Sequence, residues 1–128
     1  MPKTHAEKLG ITPGSTVTIV NAPPGTTLPE ELPEGVTVRR QQEGGVPGTL
    51  VLFAHDTAQL HRDAPGLLTS LTDTTKVWIC YRKGGVSDLS RDVLMPALIG
   101  IGWHGVSLVS LDQTWSAARF RRLEHIGR

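Results

Sequence analysis

The chain has 128 residues and carries 13 lysines and arginines against 12 aspartates and glutamates. Its length suits a single domain (1–128) with a sizeable core, and its net charge of +1 excludes a bulk field that would attract nucleic acid or an anionic membrane. Cys80 is the single cysteine, which excludes an internal disulfide and predicts a buried thiol. The N-terminus has no secretory signal and no apolar run is long enough to span a membrane, so we expect a cytoplasmic protein.

The first part of the chain predicts two strands separated by a proline-rich loop. A short helix capped by Thr4 and ending at Leu9 precedes the turn TPGS, and the run Thr16–Val20 is the first strand. Residues 21–35 include four of the nine prolines and predict an irregular loop. The run VTVRR, residues 36–40, predicts a short second strand.

Two apolar runs in the middle of the chain predict the centre of a parallel sheet. The runs TLVLFA (49–54) and KVWICY (76–81) show no polar alternation, which is typical of strands buried on both faces by crossover helices. The residues between them have leucines at helical spacing, with Asp56 as the expected N-cap. We expect Pro65 and Gly66 to split this helix into two pieces.

The C-terminal third predicts one helix and a hairpin. The stretch YRKGGVSDLSRD leads into a helix capped by Ser87 or Ser90 and ending near Gly100 and Gly102; its apolar residues are Leu89, Val93, Leu94, Ala97, Leu98 and Ile101. The runs WHGVSLVSL and WSAARFRRL are separated only by DQT, which predicts an antiparallel hairpin. The whole chain therefore predicts an α/β, three-layer sandwich with a mainly parallel sheet and a C-terminal antiparallel hairpin.

Four segments stand out in combination: KLGITPGSTVTIVNAPPG, TLVLFAHDTAQL, KVWICYRKGGVSDLSRDVL and DQTWSAARF. Together they resemble the bacterial family catalogued as domain of unknown function 3052, over nearly the full chain. The resemblance implies a compact Rossmann-like fold similar to the second half of class I methyltransferases, and it brings no established activity and no catalytic residue. Ser87 stands where threonine is common in the family, and the loop from Gly84 to Val86 is short.

Residues that follow the parallel strands predict a cleft, because ligands of such sheets bind beyond the carboxyl ends of the strands. We predict that this cleft holds a small anionic ligand. Arg82 and Lys83 would supply charge, Ser87 a hydroxyl and an amide, and Asn21 a neutral donor or acceptor. The full predicted set is Asn21, His55, Asp56, Arg82, Lys83, Gly84, Ser87 and Asp88.

A plainer interpretation explains the same stretch as a capped helix start behind a solvated basic pair. Asp88 and Asp92 would then lie in or beside the first helical turn, where the helix dipole favours carboxylates by roughly 0.3 to 1 kcal/mol each. Those carboxylates would repel a phosphate at that place. The sequence leaves both interpretations open.

Other chemistry has little support in the sequence. Pro23 and Pro24 remove amide donors after the first strand and no G-x-G-x-x-G is present, so we predict no nucleotide cofactor. His55, Asp56 and His61 match no standard ligand spacing, so no metal site is predicted. The chain has no G-x-S-x-G elbow and offers no base for Cys80, so no catalytic residue is assigned.

The segment WSAARFRRL has two interpretations. Trp115 beside arginines could stack on nucleic-acid bases, but a core tryptophan followed by arginines that protect an edge strand is favoured. The sequence therefore indicates a non-catalytic ligand-binding or regulatory module rather than an evident enzyme. Its alternatives are a methyltransferase-like enzyme with an altered cofactor site and an interaction subunit that uses the C-terminal hairpin, where a homodimer would form.

Overall fold

The computed structural model describes residues 9–21, 34–39, 48–68, 71, 75–84, 87–111 and 113–122. Most of the predicted helix from Thr4 and most of the proline-rich loop lie outside these residues. Leu9, the expected last residue of that helix, is in a turn. Six strands and two helices occur within them. They are β1 (Thr16–Val20), β2 (Thr37–Arg39), β3 (Thr49–Phe53), α1 (Thr57–Leu68), β4 (Lys76–Arg82), α2 (Arg91–Ile99), β5 (Trp103–Ser110) and β6 (Trp115–Arg122).

All six strands form one sheet in the order β2-β1-β3-β4-β6-β5. Strand β1 pairs in parallel with β2 and β3, and β3 pairs in parallel with β4. Strand β6 is antiparallel to both β4 and β5. This arrangement confirms the predicted α/β class, the mainly parallel sheet and the C-terminal antiparallel hairpin.

The core consists of two clusters, one on each face of the sheet. Both helices pack on one face, where Leu60 and Leu98 meet Ile79 and Phe120. The opposite face holds Trp78, Cys80 and Trp115 and is covered in part by the chain at Leu9, Ile11 and Leu111. The two helices share a face because the β3-α1-β4 and β4-α2-β5 crossovers move across the sheet in the same direction, and such crossovers are right-handed.

Helix α1 runs without a break through Pro65, so the predicted division at Pro65-Gly66 is wrong. Proline removes one backbone hydrogen bond, but Leu60, Ala64 and Leu68 form a buried stripe at four-residue spacing that holds both sides of it on the sheet. Helix α2 also contains a proline, and it ends at Gly100 as expected. Neither described helix is long and apolar enough to cross a membrane.

Strand β6 lies inside the sheet, so the idea that its arginines protect an edge strand is wrong. The pairing of β6 with β4 on one side and β5 on the other could not be deduced from the hairpin alone. Arg122 instead donates a hydrogen bond to the Leu71 carbonyl at 2.9 Å and lies 5.8 Å from the centre of the Trp103 ring. It therefore contributes to packing beside the sheet rather than to edge protection.

Candidate functional site

Three parallel strands end side by side at one edge of the sheet. Strand β3 lies between β1 and β4, with Val20 paired to Leu52 and Phe53 paired to Cys80. The residues that follow these strand ends, among them Asn21, His55 and Lys83, therefore emerge at the same edge, as the sequence predicted. Strand β5 also ends at this edge, because β6 is antiparallel to both β4 and β5.

Asn21 links the end of β1 to β3 and α1. Its backbone is left-handed with φ of 60°, a conformation that few residues other than glycine adopt and that asparagine tolerates best. The Asn21 side-chain amide donates to Asp63 Oδ2 at 2.8 Å, and the backbone carbonyl oxygen of Asn21 lies 3.3 Å from His55 Nε2. One side chain and one backbone oxygen thus tie three elements together at the strand ends.

Asp63 is also held by Arg62, whose Nε donates to Asp63 Oδ1 at 2.9 Å. This hydrogen bond, assisted by the one from Asn21 and opposed by partial burial, lowers the pKa of Asp63 below its usual range. An open groove of about 370 Å³ adjoins the network and is lined by Val20, Asn21, Arg62, Asp63, Gly66 and Leu67. We call it the β1 groove.

The backbone and the ring of His55 are both held by contacts within the protein. Its backbone N–H donates to Gln59 Oε1 at 2.7 Å, and its ring lies edge-on to the Trp115 ring with centroids 5.1 Å apart. Trp115 also packs against Phe53 at 5.2 Å and is only 6% exposed. Trp115 is therefore a core residue that cannot stack on a nucleic-acid base.

Asp56 and Asp88 both cap the first turn of α1. Asp56 Oδ1 accepts the Gln59 N–H at 2.7 Å, which confirms Asp56 as the N-cap. Asp88 Oδ1 accepts the Thr57 N–H at 2.9 Å, so this carboxylate caps α1. The plainer interpretation of the sequence had placed it at the start of α2 instead. Two carboxylates at one helix N-terminus leave that end of α1 unsuited to an anionic ligand.

The start of α2 is built differently. Ser90 is its N-cap residue and makes no side-chain capping hydrogen bond. Ser87 Oγ accepts the Leu89 N–H at 3.0 Å, which shapes the loop before the helix instead of capping it. Of the two serines proposed as N-caps, Ser90 holds the position, and neither supplies the expected hydrogen bond to the helix.

A second groove, of about 320 Å³, lies between the end of β4, the start of α2 and the hairpin. It is lined by Tyr81, Arg82, Lys83, Gly84, Leu89, Ser90, Arg91, Leu108 and Ser116. We call it the basic groove, because three of these side chains are cationic and none is a carboxylate. Lys83 is anchored at its edge: its backbone N–H donates to the Thr114 carbonyl at 2.8 Å and its Nζ to Ser110 Oγ.

The structure therefore distributes the predicted site residues over separate places. Arg82, Lys83 and Gly84 line the basic groove, while Asn21 lines the β1 groove, and the two grooves share no lining residue. The remaining predicted residues, His55, Asp56, Ser87 and Asp88, belong to the lining of neither groove.

Six of the nine residues that line the basic groove were not among the predicted site residues: Tyr81, Leu89, Ser90, Arg91, Leu108 and Ser116. Arg91 lies within the stretch YRKGGVSDLSRD, where no local signal distinguishes it from the other residues at the helix start. Leu108 and Ser116 come from the hairpin, and only the insertion of β6 beside β4 brings them to Arg82. Alternation along β6 does place Ser116 on the same face as Ala118 and Phe120, and that is the one signal the sequence carries.

Metal-ligating side chains do not gather anywhere in the described part of the chain: no group of three or more histidines, cysteines, aspartates or glutamates there could hold an ion. The imidazole of His55 is paired with the Asn21 carbonyl and Asp56 with a backbone amide. Neither combines with His61 into a ligand set.

Comparisons with known proteins identify the fold. No protein-family model and no curated protein matches this sequence, so the resemblance to domain of unknown function 3052 stays a prediction. Among solved structures, the chain is similar to a ribosomal protein L11 methylase from Lactobacillus delbrueckii subsp. bulgaricus, with a TM-score of 0.57 and 11% identity over 92% of this chain and 74% of that one.

A second similar structure is a LepI variant in complex with SAH and a substrate analogue. It has a TM-score of 0.55 and 13% identity, and the match covers 91% of this chain but only 38% of LepI. At such identities the likeness concerns the fold alone. The chain thus has a methyltransferase-like α/β fold, in line with the similarity to part of a class I methyltransferase fold that the family resemblance implied.

Proposed function

We propose that this protein is a ligand-binding module of methyltransferase-like fold that holds a small anion in the basic groove. The observation that carries the proposal is the side-chain composition of that groove. Arg82 and Lys83 at the end of β4 line the same groove as Arg91 at the start of α2, and no carboxylate is part of its lining. A concave site with charge of one sign raises the local concentration of ligands with the opposite charge.

The geometry around these cations suits an oxyanion. Arginine presents a planar fork of donors that can bind a carboxylate or phosphate through two hydrogen bonds. Gly84 has a left-handed backbone with φ of 75°, and the space where a Cβ would stand is open, so a ligand could approach the main chain there. Ser90 and Ser116 add hydroxyl groups to the lining.

The nearest acidic neighbour of the groove along the chain does not neutralise it. Arg91 Nε lies 3.9 Å from Asp92 Oδ1, and both side chains are largely exposed. Exposed pairs at such distances contribute little free energy. Asp88 is bonded to the Thr57 amide and Asp56 to the Gln59 amide, so these carboxylates are committed to α1.

Calorimetric titration with inorganic phosphate and with citrate tests this proposal. We expect binding by the wild-type protein that weakens with added salt, and an affinity lowered at least about tenfold in the double variant Arg82→Ala, Lys83→Ala, since a hydrogen bond to a charged group contributes about 1.5–3 kcal/mol. The control is Arg62→Ala, which removes a cation from the β1 groove only. No binding of either anion, or an equal loss in the control, would reject the proposal.

A second candidate function is a methyltransferase-like enzyme with an altered cofactor site. It is supported by the two structural neighbours, one of which is a methylase and the other a complex with SAH. In this chain the end of β1 carries the left-handed Asn21 beside the β1 groove. Titration with SAH distinguishes the candidates: this enzyme hypothesis predicts binding that Asn21→Ala weakens and the substitution of Arg82 and Lys83 leaves unchanged.

A third candidate is an interaction subunit that forms a homodimer through the C-terminal hairpin. Strand β5 ends the described sheet, and it contains no lysine, arginine, aspartate or glutamate that would discourage pairing. Val106 and Leu108 on this strand are 44% and 43% exposed. Light scattering at two concentrations tests it, and we expect Val106→Lys to shift a dimer to the monomer; a monomeric wild type rejects it.

A further inference from the structure

We propose that the ligand of the basic groove is an organic anion that carries an apolar group, and not a bare oxyanion. The inference rests on the proposed function, because it names the ligand class for the same groove. Beside the cations and the two serines, the groove is lined by Tyr81, Leu89 and Leu108. An anion alone would leave Leu108, which is 43% exposed, in contact with water.

The size of the groove exceeds that of a simple oxyanion. Its volume is about 320 Å³. Bare phosphate would fill less than roughly half of that space, whereas sites for organic ligands begin at about 300 Å³. The groove therefore has room for a small organic molecule.

Strand pairing places Lys83 and Leu108 at different positions along the groove. Ser110, which accepts a hydrogen bond from Lys83, pairs with Ser116 near the strand ends. Leu108 pairs with Ala118, two residues further from that edge. Two residues of a strand span roughly 7 Å, so a ligand whose anion meets Lys83 would have its other end beside Leu108.

A β-bulge directs Leu108 to this face of the sheet. The pairing of β5 with β6 shifts between Gly105 and Ser107, so that Val106 is the extra residue. Gly105 lies on the helix-covered face against Met95 and Phe120. Without the bulge, regular alternation would place Ser107 on that face and Leu108 on the other. The bulge thus supplies the groove with a leucine where a serine would otherwise stand.

Leu108 is also the apolar side chain of the groove with surface left to bury. It is 43% exposed, whereas Leu89 is 1% and Tyr81 is 7% exposed. Covering apolar surface contributes about 25 cal/mol per Å², so an apolar group on the ligand would gain its affinity mainly at Leu108. Val106 is equally exposed at 44% on the same strand but does not line the groove, which makes it a matched control.

Calorimetry with inorganic phosphate and phenyl phosphate tests the ligand class. We expect the wild-type protein to bind phenyl phosphate about tenfold more tightly than phosphate, as burial of a ring edge against one leucine predicts. Leu108→Ser should remove most of this preference, because the loss of phenyl phosphate affinity should exceed any change in phosphate affinity. Val106→Ser should keep the preference, and circular dichroism should show that both variants are folded.

Each contrary result has a distinct meaning. Equal affinity for both compounds in the wild type would overturn the organic-anion inference and leave the anion site standing. The same follows if Leu108→Ser retains the full preference, since the apolar group would then bind elsewhere. If neither compound binds, both the inference and the proposed function fail. Phenol binding as tightly as phenyl phosphate would also overturn it, because the anion would contribute nothing.

Discussion

The carboxylate of Asp88 accepts a hydrogen bond of 2.9 Å from the backbone N–H of Thr57. The amides of a first helical turn have no partner within the helix, and the positive end of the helix dipole favours a negative charge there. This bond attaches the loop after β4 to the start of α1. The carboxylate of Asp88 is therefore bound to α1. From its position in the sequence, it was expected to repel an anion beside Arg82 and Lys83.

Asp88→Ala should lower the free energy of unfolding by about 1 kcal/mol, because loss of a capping carboxylate typically costs about 0.5–2 kcal/mol. Urea denaturation followed by circular dichroism measures the change. Asp92→Ala is the control, since that side chain is 91% exposed and its contact with Arg91 is long. We expect the control to lose clearly less, and equal losses would show that the bond to Thr57 contributes nothing particular.

Asn21→Ala and Asn21→Gly should differ although both lose the hydrogen bond to Asp63. At φ of 60° an alanine side chain is strained, whereas glycine is not, so we expect the alanine variant to be less stable by about 1 kcal/mol. Paired thermal and urea denaturation compares the two. If they are equally stable, the left-handed backbone at the end of β1 is not maintained in solution.

Asp63 should make stability depend on pH in the acidic range. Hydrogen bonds from Arg62 and Asn21 lower its pKa in the folded state below the ordinary value of 3.8. The charge therefore stabilises the fold at pH values above about 4, and this contribution disappears as the pH falls through the lowered pKa. Because the groups are partly exposed, its size is about 1 kcal/mol or less.

The measurement compares wild type with Asp63→Asn in urea at several pH values between 2.5 and about 7. We expect the variant to be less stable at neutral pH and the difference to vanish toward the acidic end. A difference that stays constant across the range would indicate that the carboxylate charge is not the source of the stabilisation.

Gly105 and Gly66 should respond to alanine in opposite directions. A Cβ at Gly105 would overlap the flexible end of the Met95 side chain, which would have to move, so Gly105→Ala should cost about 1 kcal/mol of stability or less, and less still in a Met95→Ala background. Gly66 is an interior residue of α1, and a Cβ at this position would contact no other atom, so Gly66→Ala should stabilise the protein by about 0.5–1 kcal/mol. Urea denaturation compares the wild type, Gly66→Ala, Gly105→Ala, Met95→Ala and the double variant of Gly105 and Met95. An identical effect of Gly105→Ala in both backgrounds would exclude the Met95 contact.

Local sequence signals predicted the strands well, because unbroken apolar runs such as Thr49–Phe53 have few stable alternatives to a strand buried on both faces. They also predicted Asp56 as an N-cap, since capping depends on residues only three positions apart. The same local reasoning failed at Pro65, where burial of Leu60 and Leu68 outweighs one missing hydrogen bond. Tertiary packing overrides a local preference when the buried surface is large.

By itself, the sequence determined the α/β class, the hairpin and the common edge at which Asn21, His55 and Arg82 emerge, because these follow from periodicity and from short-range turns. Only the tertiary structure decided what those residues do. The insertion of β6 between β4 and β5 brings Leu108 and Ser116 to Arg82, and Asp88 reaches across to the start of α1. Such contacts join residues far apart along the chain, and one sequence carries no periodic signal for them.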